Sequence, residues 1–385
     1  MKILTYRWKA YNHRDIINCL EGRGHHTDEI KGELASFEAD ADFEKRLAKA
    51  LDDGEYDLMF SVNYFPVISD ICEKYGLTYV SWCCDSPIST MYHESVFNKV
   101  NRIFTFDRIE WMTFRDMGAP VYYLPLCTDT DRADSAAAGL EDTGYISDVS
   151  FVGSMYNKNS YDEIYGHLPE YFRGYFDAAI RLQKNAYSEY LLDDLLDGGT
   201  LAGLDRYFRV DKSERSFNDL SIVFSTTVLS YKIAQEERQE IIAALSRTHK
   251  VNIYTDDESA DFVKAENCGL VDYWRGAPRV FRQSKINLNL TLRSIRSGVP
   301  LRVWDILGAG GFCITNYQAE LPLYFVNGED LVWFKSRGEL FRLVDYYLEH
   351  EDERRRIAEN GCRKVREFHD YTSRIDEIAE YVPGL

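Results

Sequence analysis

Ser284-Lys285-Ile286-Asn287-Leu288-Asn289-Leu290, followed by Ser297-Gly298-Val299-Pro300-Leu301-Arg302-Val303-Trp304-Asp305-Ile306-Leu307-Gly308-Ala309-Gly310-Gly311-Phe312, is the stretch that decides the fold. Ile286 to Leu290 is a short apolar run of strand length, Arg302 to Leu307 has helical spacing, and Phe312 to Thr315 reads as the next strand. Strand, helix and strand in this order make a βαβ unit, which requires a parallel sheet. Gly308-Ala309-Gly310-Gly311 imitates a phosphate loop but runs from helix to strand, the reverse of the Walker or dinucleotide order, so it reads as a helix C-terminus.

The same alternation extends outward in both directions. Toward the N-terminus, strands are expected at Ile3–Tyr6, Thr27–Ile30, Leu58–Val62, Thr78–Trp82, Arg102–Phe106 and Val121–Leu124, with helices at His13–Leu20, Asp42–Leu51, Pro66–Tyr75 and Ile109–Met117. These form an open, doubly wound sheet. Residues 128–147 shift to Asp, Thr, Ala and Gly without apolar periodicity, as an exposed connection would. An N-terminal Rossmann-like domain is therefore expected over residues 1–147 and a second over 148–385, opened by the strand Val149–Val152. Residues 156–231 read as a helical insertion, after which Gln235–Leu245 (helix) and Val251–Tyr254 (strand) resume the alternation. Helices are expected at Glu339–Glu349 and Glu351–Phe368, and the C-terminal helix is expected to return to the first domain.

At 385 residues the chain suits two cores, and 45% apolar with 28% charged residues is a globular balance. A net charge of −18 disfavours nucleic acid and anionic membranes as partners, so any anion site must be local. No segment approaches the roughly 20 apolar residues of a membrane span, and a polar residue breaks the first apolar run before a signal core forms; a cytoplasmic protein is expected. The eight cysteines show no Cys-x-x-Cys spacing and read as reduced core thiols, with Cys83 and Cys84 alternatively lining a cleft.

A parallel sheet binds ligands at the carboxyl ends of its strands, at the topological switch point, and two such sheets facing each other would form one cleft. A helix beginning near Gly298-Val299-Pro300 offers backbone N–H groups and its positive dipole end to a diphosphate. Arg293, Arg296 and Arg302 cluster around that start, where guanidinium groups can grip phosphate oxygens; the other reading is that they pair with the abundant carboxylates.

The 284–312 stretch, continued by Thr315-Asn316-Tyr317-Gln318-Ala319-Glu320-Leu321 and by Arg354–Val365 around Asn360-Gly361, resembles the donor half of GT-B glycosyltransferases over about a hundred residues. It is most similar to the bacterial, spore-maturation, CgeB-like glycosyltransferases. Ser81-Trp82-Cys83-Cys84-Asp85-Ser86-Pro87 is similar to the acceptor-side loop of that family. The resemblance implies a nucleotide-diphosphate sugar, with UDP or a similar nucleotide, and a protein or glycan acceptor; because the helix N-terminus and the arginines can neutralise the diphosphate, no metal or cofactor is expected to be required. It implies that Asp305, the second acid of a Glu-x7-Glu pattern, contacts the ribose hydroxyls, and that the base lies near Tyr254 and Tyr273-Trp274-Arg275-Gly276; aromatic core packing is the other reading of those residues. The first acid of the pattern falls at Ser297, a departure that leaves room for a catalytically silent glycan- or partner-binding protein. An acceptor-independent sugar-nucleotide epimerase is a third possibility.

Asp85 is the candidate general base, with a turn cap at Ser86-Pro87 as its other role; His93 is a second candidate, and Asp107 follows. His13 could face the cleft, whereas His25, His26 and His369 read as solvated or core. Asp129-Thr130-Asp131 spells a metal motif but lies in the polar connection, and Asp40-Ala41-Asp42 reads as a helix start.

Overall fold

The computed structural model describes residues 1–140, 144–257 and 264–385, and within it the chain forms two compact units. The first comprises Met1–Leu126, Val210–Asp219 and Tyr371–Leu385; the second comprises Cys127–Arg209 and Leu220–Asp370.

The first unit carries a six-stranded parallel sheet of β1 (Lys2–Arg7), β2 (His26–Lys31), β3 (Leu58–Val62), β4 (Tyr79–Trp82), β5 (Asn101–Thr105) and β6 (Val121–Tyr123), in the order β2-β1-β3-β4-β5-β6. β3 is buried along its whole length, as parallel strands covered on both faces must be. The order reverses between β1 and β3. The C-terminal helix Tyr371–Ala379 packs against His13–Gly22, with buried Arg374 donating from Nε to the Pro125 carbonyl (2.9 Å). Residues 210–219, which interrupt the helical insertion in sequence, lie on this unit through the two-pronged Arg215–Asp70 ion pair (2.5 and 3.1 Å) and the Phe217 ring against Tyr92.

The second unit carries β7 (Ser147–Val152), β8 (Val251–Tyr254), β9 (Glu266–Asn267), β10 (Ser284–Asn289), β11 (Cys313–Asn316) and β12 (Val332–Phe334), in the order β12-β11-β10-β7-β8-β9 with parallel pairing. Its reversal lies between β7 and β10. Between β7 and β8 stand the inserted helices, including Glu170–Asn185, and the long helix Leu229–Leu245.

One expectation is corrected. The connection expected to be exposed over 128–147 instead contains the helix Thr130–Ala137, which packs against Gly276–Gln283 and buries Ala133 and Ala137. Asp129 caps it, accepting from the Arg132 N–H (2.8 Å), so the Asp129-Thr130-Asp131 motif is a helix start. Residues 141–143 of that connection lie outside the described residues. Asp40 likewise caps Ala41–Asp53.

Helix Leu301–Gly308 is held by glycines at two close approaches. A Cβ on Gly308 would stand 2.3 Å from the Thr128 methyl, and one on Gly361 would stand 2.2 Å from the Asp330 carbonyl oxygen and 2.9 Å from Leu307. Gly310, at φ +75°, terminates the helix in the left-handed region. An interior helical Gly→Ala ordinarily stabilises; Gly361→Ala is expected to do the reverse, by about 1–3 kcal/mol of overpacking. A lowered urea midpoint at unchanged m-value is the expected reading, and an unchanged or raised midpoint contradicts this packing.

Candidate functional site

In the second unit several buried polar groups stand at the carboxyl end of the sheet. Arg238, in the middle of Leu229–Leu245, is buried at the reversal between β7 and β10. Its Nη2 donates to the Leu290 carbonyl (2.6 Å), just past β10, and its Nη1 to the Ser154 carbonyl (2.5 Å), just past β7. Its guanidinium lies over the rings of Phe151 and Tyr156, and burial pulls its pKa down from the usual arginine range.

Beside it, Leu301–Gly308 extends the expected Arg302–Leu307 helix by one residue at each end, and Pro300 is extended and occupies the N-cap position instead of the first turn. Asp305, one turn in, is buried. Its Oδ1 accepts from Thr128 Oγ1 (2.9 Å) and from the Tyr273 hydroxyl (3.0 Å). Its Oδ2 has no hydrogen-bond partner among the described residues and stands 3.7 Å from Arg302 Nη1, which lacks one as well. Burial pushes the Asp305 carboxyl up, while Arg302 and Arg132 pull it back.

The other expected donor-side residues are placed differently. Arg293 is buried in an ion pair with Glu237 (2.5 Å) and lies over the Tyr187 ring; Arg296 pairs with Asp193 (2.7 Å) over Tyr190. Both thus take the carboxylate-pairing role, and of the three arginines Arg302 stays with Asp305. Gly298 precedes the helix, and its carbonyl accepts from Gln318 Nε2 (3.2 Å). In the segment expected near the base, the carbonyls of Tyr273 and Trp274 accept from Arg132 Nη1 (3.5 and 3.1 Å). Arg275 precedes helix Gly276–Gln283, where a side chain at Gly276 would collide with Val271. Tyr254 ends β8 and is nearly buried. Ser297, at the position where the resemblance would place the first acid of the Glu-x7-Glu pattern, donates from Oγ to Oε1 of buried Glu320 (2.7 Å), so a carboxylate from the loop after β11 stands beside that position.

In the first unit three loops converge at the carboxyl ends of β1, β3 and β4. Asn63 adopts φ +63°, a left-handed conformation that Asn tolerates better than most residues. Its amide donates from Nδ2 to Asp85 Oδ2 (2.6 Å) and accepts at Oδ1 from the Cys84 N–H (2.8 Å), while Asn12 Nδ2 donates to Cys84 Sγ (3.0 Å). Asp85 itself is exposed. Below it, the buried carboxylate of Glu110 accepts from the Ile88 N–H (2.9 Å) and from Thr105 Oγ1 (2.8 Å), anchoring the far end of the Asp85 loop.

His93 is buried and its Nδ1 accepts from the Ser95 N–H (3.2 Å), which makes it the cap of a short 3-10 turn. Asp107 caps Arg108–Asp116. His13, buried at the start of its helix, faces Glu29 (3.4 Å), and burial lowers its pKa. His369 packs on the Trp304 ring at 4.8 Å.

Residues 237–380 match the family model described as glycosyl transferase-like. Solved structures align over the whole chain. Sucrose-phosphate synthase from Thermosynechococcus elongatus is 8% identical, with a TM-score of 0.60 over 99% of this chain and 98% of that one. HepE of Anabaena, solved with UDP and glucose, is 10% identical at 0.54 over all of both chains, and the T4 phage BGT, solved with UDP-glucose, is 12% identical at 0.51 over all of both. The fold is that of the GT-B glycosyltransferases. No curated protein sequence matches the chain. Among the described residues no helix is long and apolar enough to cross a membrane.

Set on the GT-B frame, the residues that sequence reading missed are Arg238, Asn63 and Glu320. Arg238 sits in the charged run Gln235-Glu236-Glu237-Arg238-Gln239-Glu240, which reads as a solvated face. Asn63 directly follows an apolar strand, and that position at the switch point was the available signal.

Burial pushes the Glu110 carboxyl up to about 7, with the charge of Asp107 adding to the rise. Native Glu110 therefore holds its proton where the unfolded chain has lost it. Its contribution is fully present below about pH 4.5, is lost as pH rises toward 7, and amounts to on the order of 3 kcal/mol. Gln at this position can keep both hydrogen bonds. Unfolding free energies measured between pH 4.5 and 7 should fall with a steeper slope in the wild type than in Glu110→Gln, and identical slopes would show that Glu110 is ionised throughout.

Proposed function

We propose that the chain is a cytoplasmic, CgeB-like glycosyltransferase that moves a hexosyl or N-acetylhexosaminyl group from a UDP-type nucleotide sugar to an acceptor hydroxyl on a protein or glycan, without a required metal or cofactor. The observation that carries this reading is the buried Asp305, whose Oδ2 and the adjacent Arg302 Nη1 lack hydrogen-bond partners among the described residues at the start of a helix in a GT-B fold. The family-model match across this region and the UDP-bound relatives support it.

In this reading the ribose hydroxyls donate to Asp305, and the diphosphate is stabilised by the N–H groups opening Leu301–Gly308 and by Arg302. The anomeric carbon–oxygen bond to the diphosphate breaks as the acceptor oxygen bonds to that carbon. The acceptor proton passes to Asp85, and the leaving diphosphate keeps the electron pair. Asn63 orients the Asp85 carboxylate. Glu320, held by Ser297, supplies a carboxylate where the pattern lacks one, which favours an enzyme over a silent binding protein.

Calorimetry should show UDP binding at submillimolar concentration. Asp305→Asn, which replaces the Oδ2 or Oδ1 acceptor with a donor, should weaken it roughly ten- to a hundredfold at unchanged fold. Unchanged affinity would place the ribose elsewhere.

Asp85→Asn is nearly isosteric and lies on the surface, so melting temperature and UDP affinity should stay at wild-type values. With a validated donor and acceptor, turnover should drop by about 10²-fold or more, the scale of a lost general base. Retention of most of the transfer rate would make Asp85 a loop residue.

A further inference from the structure

At the opposite, amino end of the second unit's sheet, a cavity of about 580 Å³ opens beside Ser284, the first residue of β10, and Phe312, which leads into β11. That volume suits a small organic ligand. Its walls are basic, in a chain whose net charge is −18. Arg282 and Arg366 share one carboxylate, Asp134, and Arg354 and Arg355 share another, Glu351 (3.9 and 2.6 Å). Lys285 has its own partner in Asp148 (2.7 Å), whereas Arg363 donates to the neutral amide oxygen of Asn360 (2.7 Å). Glu359 is the acid on the lining itself. Guanidinium groups thus outnumber the carboxylates that balance them.

Arg354 indicates what the surplus is for. Only 2% exposed, it donates from Nη1 to the Tyr347 carbonyl (2.7 Å), while its Nη2 faces Glu351 at 3.9 Å, beyond hydrogen-bond reach, and has no hydrogen-bond partner among the described residues. A buried guanidinium N–H without a hydrogen bond is costly, and an anion at the cavity wall would supply one. The Tyr145 ring lies beneath both Arg354 and Arg355, at 5.3 and 6.0 Å, and with Phe312 it gives the cavity an apolar flank.

We propose that this cavity binds a small phosphorylated molecule, with its phosphoryl oxygens on Arg354, Arg355 and Arg363 and its organic body against Tyr145 and Phe312. The site lies at the sheet end opposite Arg302 and Asp305 and does not depend on the donor reading.

The test is calorimetric titration of the full chain with inorganic pyrophosphate and with phenyl phosphate. Three proteins serve: wild type, the exposed-surface double variant Arg355→Glu/Arg363→Glu, and Arg302→Ala as a control at the other end of the sheet. The proposal expects submillimolar binding that persists in Arg302→Ala and weakens at least tenfold in the double variant, whose melting temperature stays near wild type. Tyr145→Ala should weaken phenyl phosphate more than pyrophosphate, which keeps the test open if the double variant fails to fold. Absence of binding to the wild type at millimolar ligand, loss in Arg302→Ala alone, or equal binding by the wild type and the cavity variants would overturn it.

Discussion

The Asp305 carboxylate is the point on which the packing around helix Leu301–Gly308 depends. A buried carboxylate is tolerated only when it is hydrogen-bonded or paired, and Asp305 meets that demand by drawing in Thr128 from the start of the unit and Tyr273 from just ahead of the helix Gly276–Gln283. Gly308 lets Thr128 come close enough to reach it, and Gly361 lets the helix Glu351–Phe368 press on the other side. The helix Leu301–Gly308 is thereby fixed in place and in rotation, which fixes where Arg302 and the first backbone N–H groups point. Sub-ångström positioning of that kind is what a charge-stabilising site needs.

Most of this architecture is legible in the sequence because parallel strands covered on both faces are short, continuous apolar runs that stand out between helical patterns. Leu58–Val62 and Val251–Tyr254 are examples. Elements without that contrast are not legible. Glu266–Asn267 is two polar, exposed residues at a sheet edge, and Val332–Phe334 is three residues behind a Gly-Glu-Asp turn. The helix Thr130–Ala137 buries alanines, too small to give an apolar stripe among aspartates. Placement of residues 210–219 on the first unit rests on Arg215 meeting Asp70 across 145 residues of chain, a pairing that no local pattern encodes.

The candidate site is legible in part for the same reason. Asp305, Arg302 and Asp85 follow strand ends and stand at the carboxyl ends of their sheets, as the switch-point rule requires. Arg293 and Arg296 carry the same charge within ten residues, yet the insertion supplies Glu237's neighbour Tyr187 and the carboxylate of Asp193, and both guanidinium groups are consumed there. Charge density along a sequence reports attraction for anions, and the nearest carboxylates in space decide which groups remain for a ligand. Arg238 shows the converse, a residue lost in a charged run that the fold buries at the meeting of two strand ends.

In the proposed reading Asp305 and the helix it anchors hold the nucleotide of a sugar donor, and a crystal structure of the chain with UDP puts this to the test. Ribose hydroxyls are expected within hydrogen-bond distance of Asp305, and the diphosphate at the first turn of Leu301–Gly308, against Arg302. UDP ordered elsewhere on the protein, with Asp305 untouched, would contradict it.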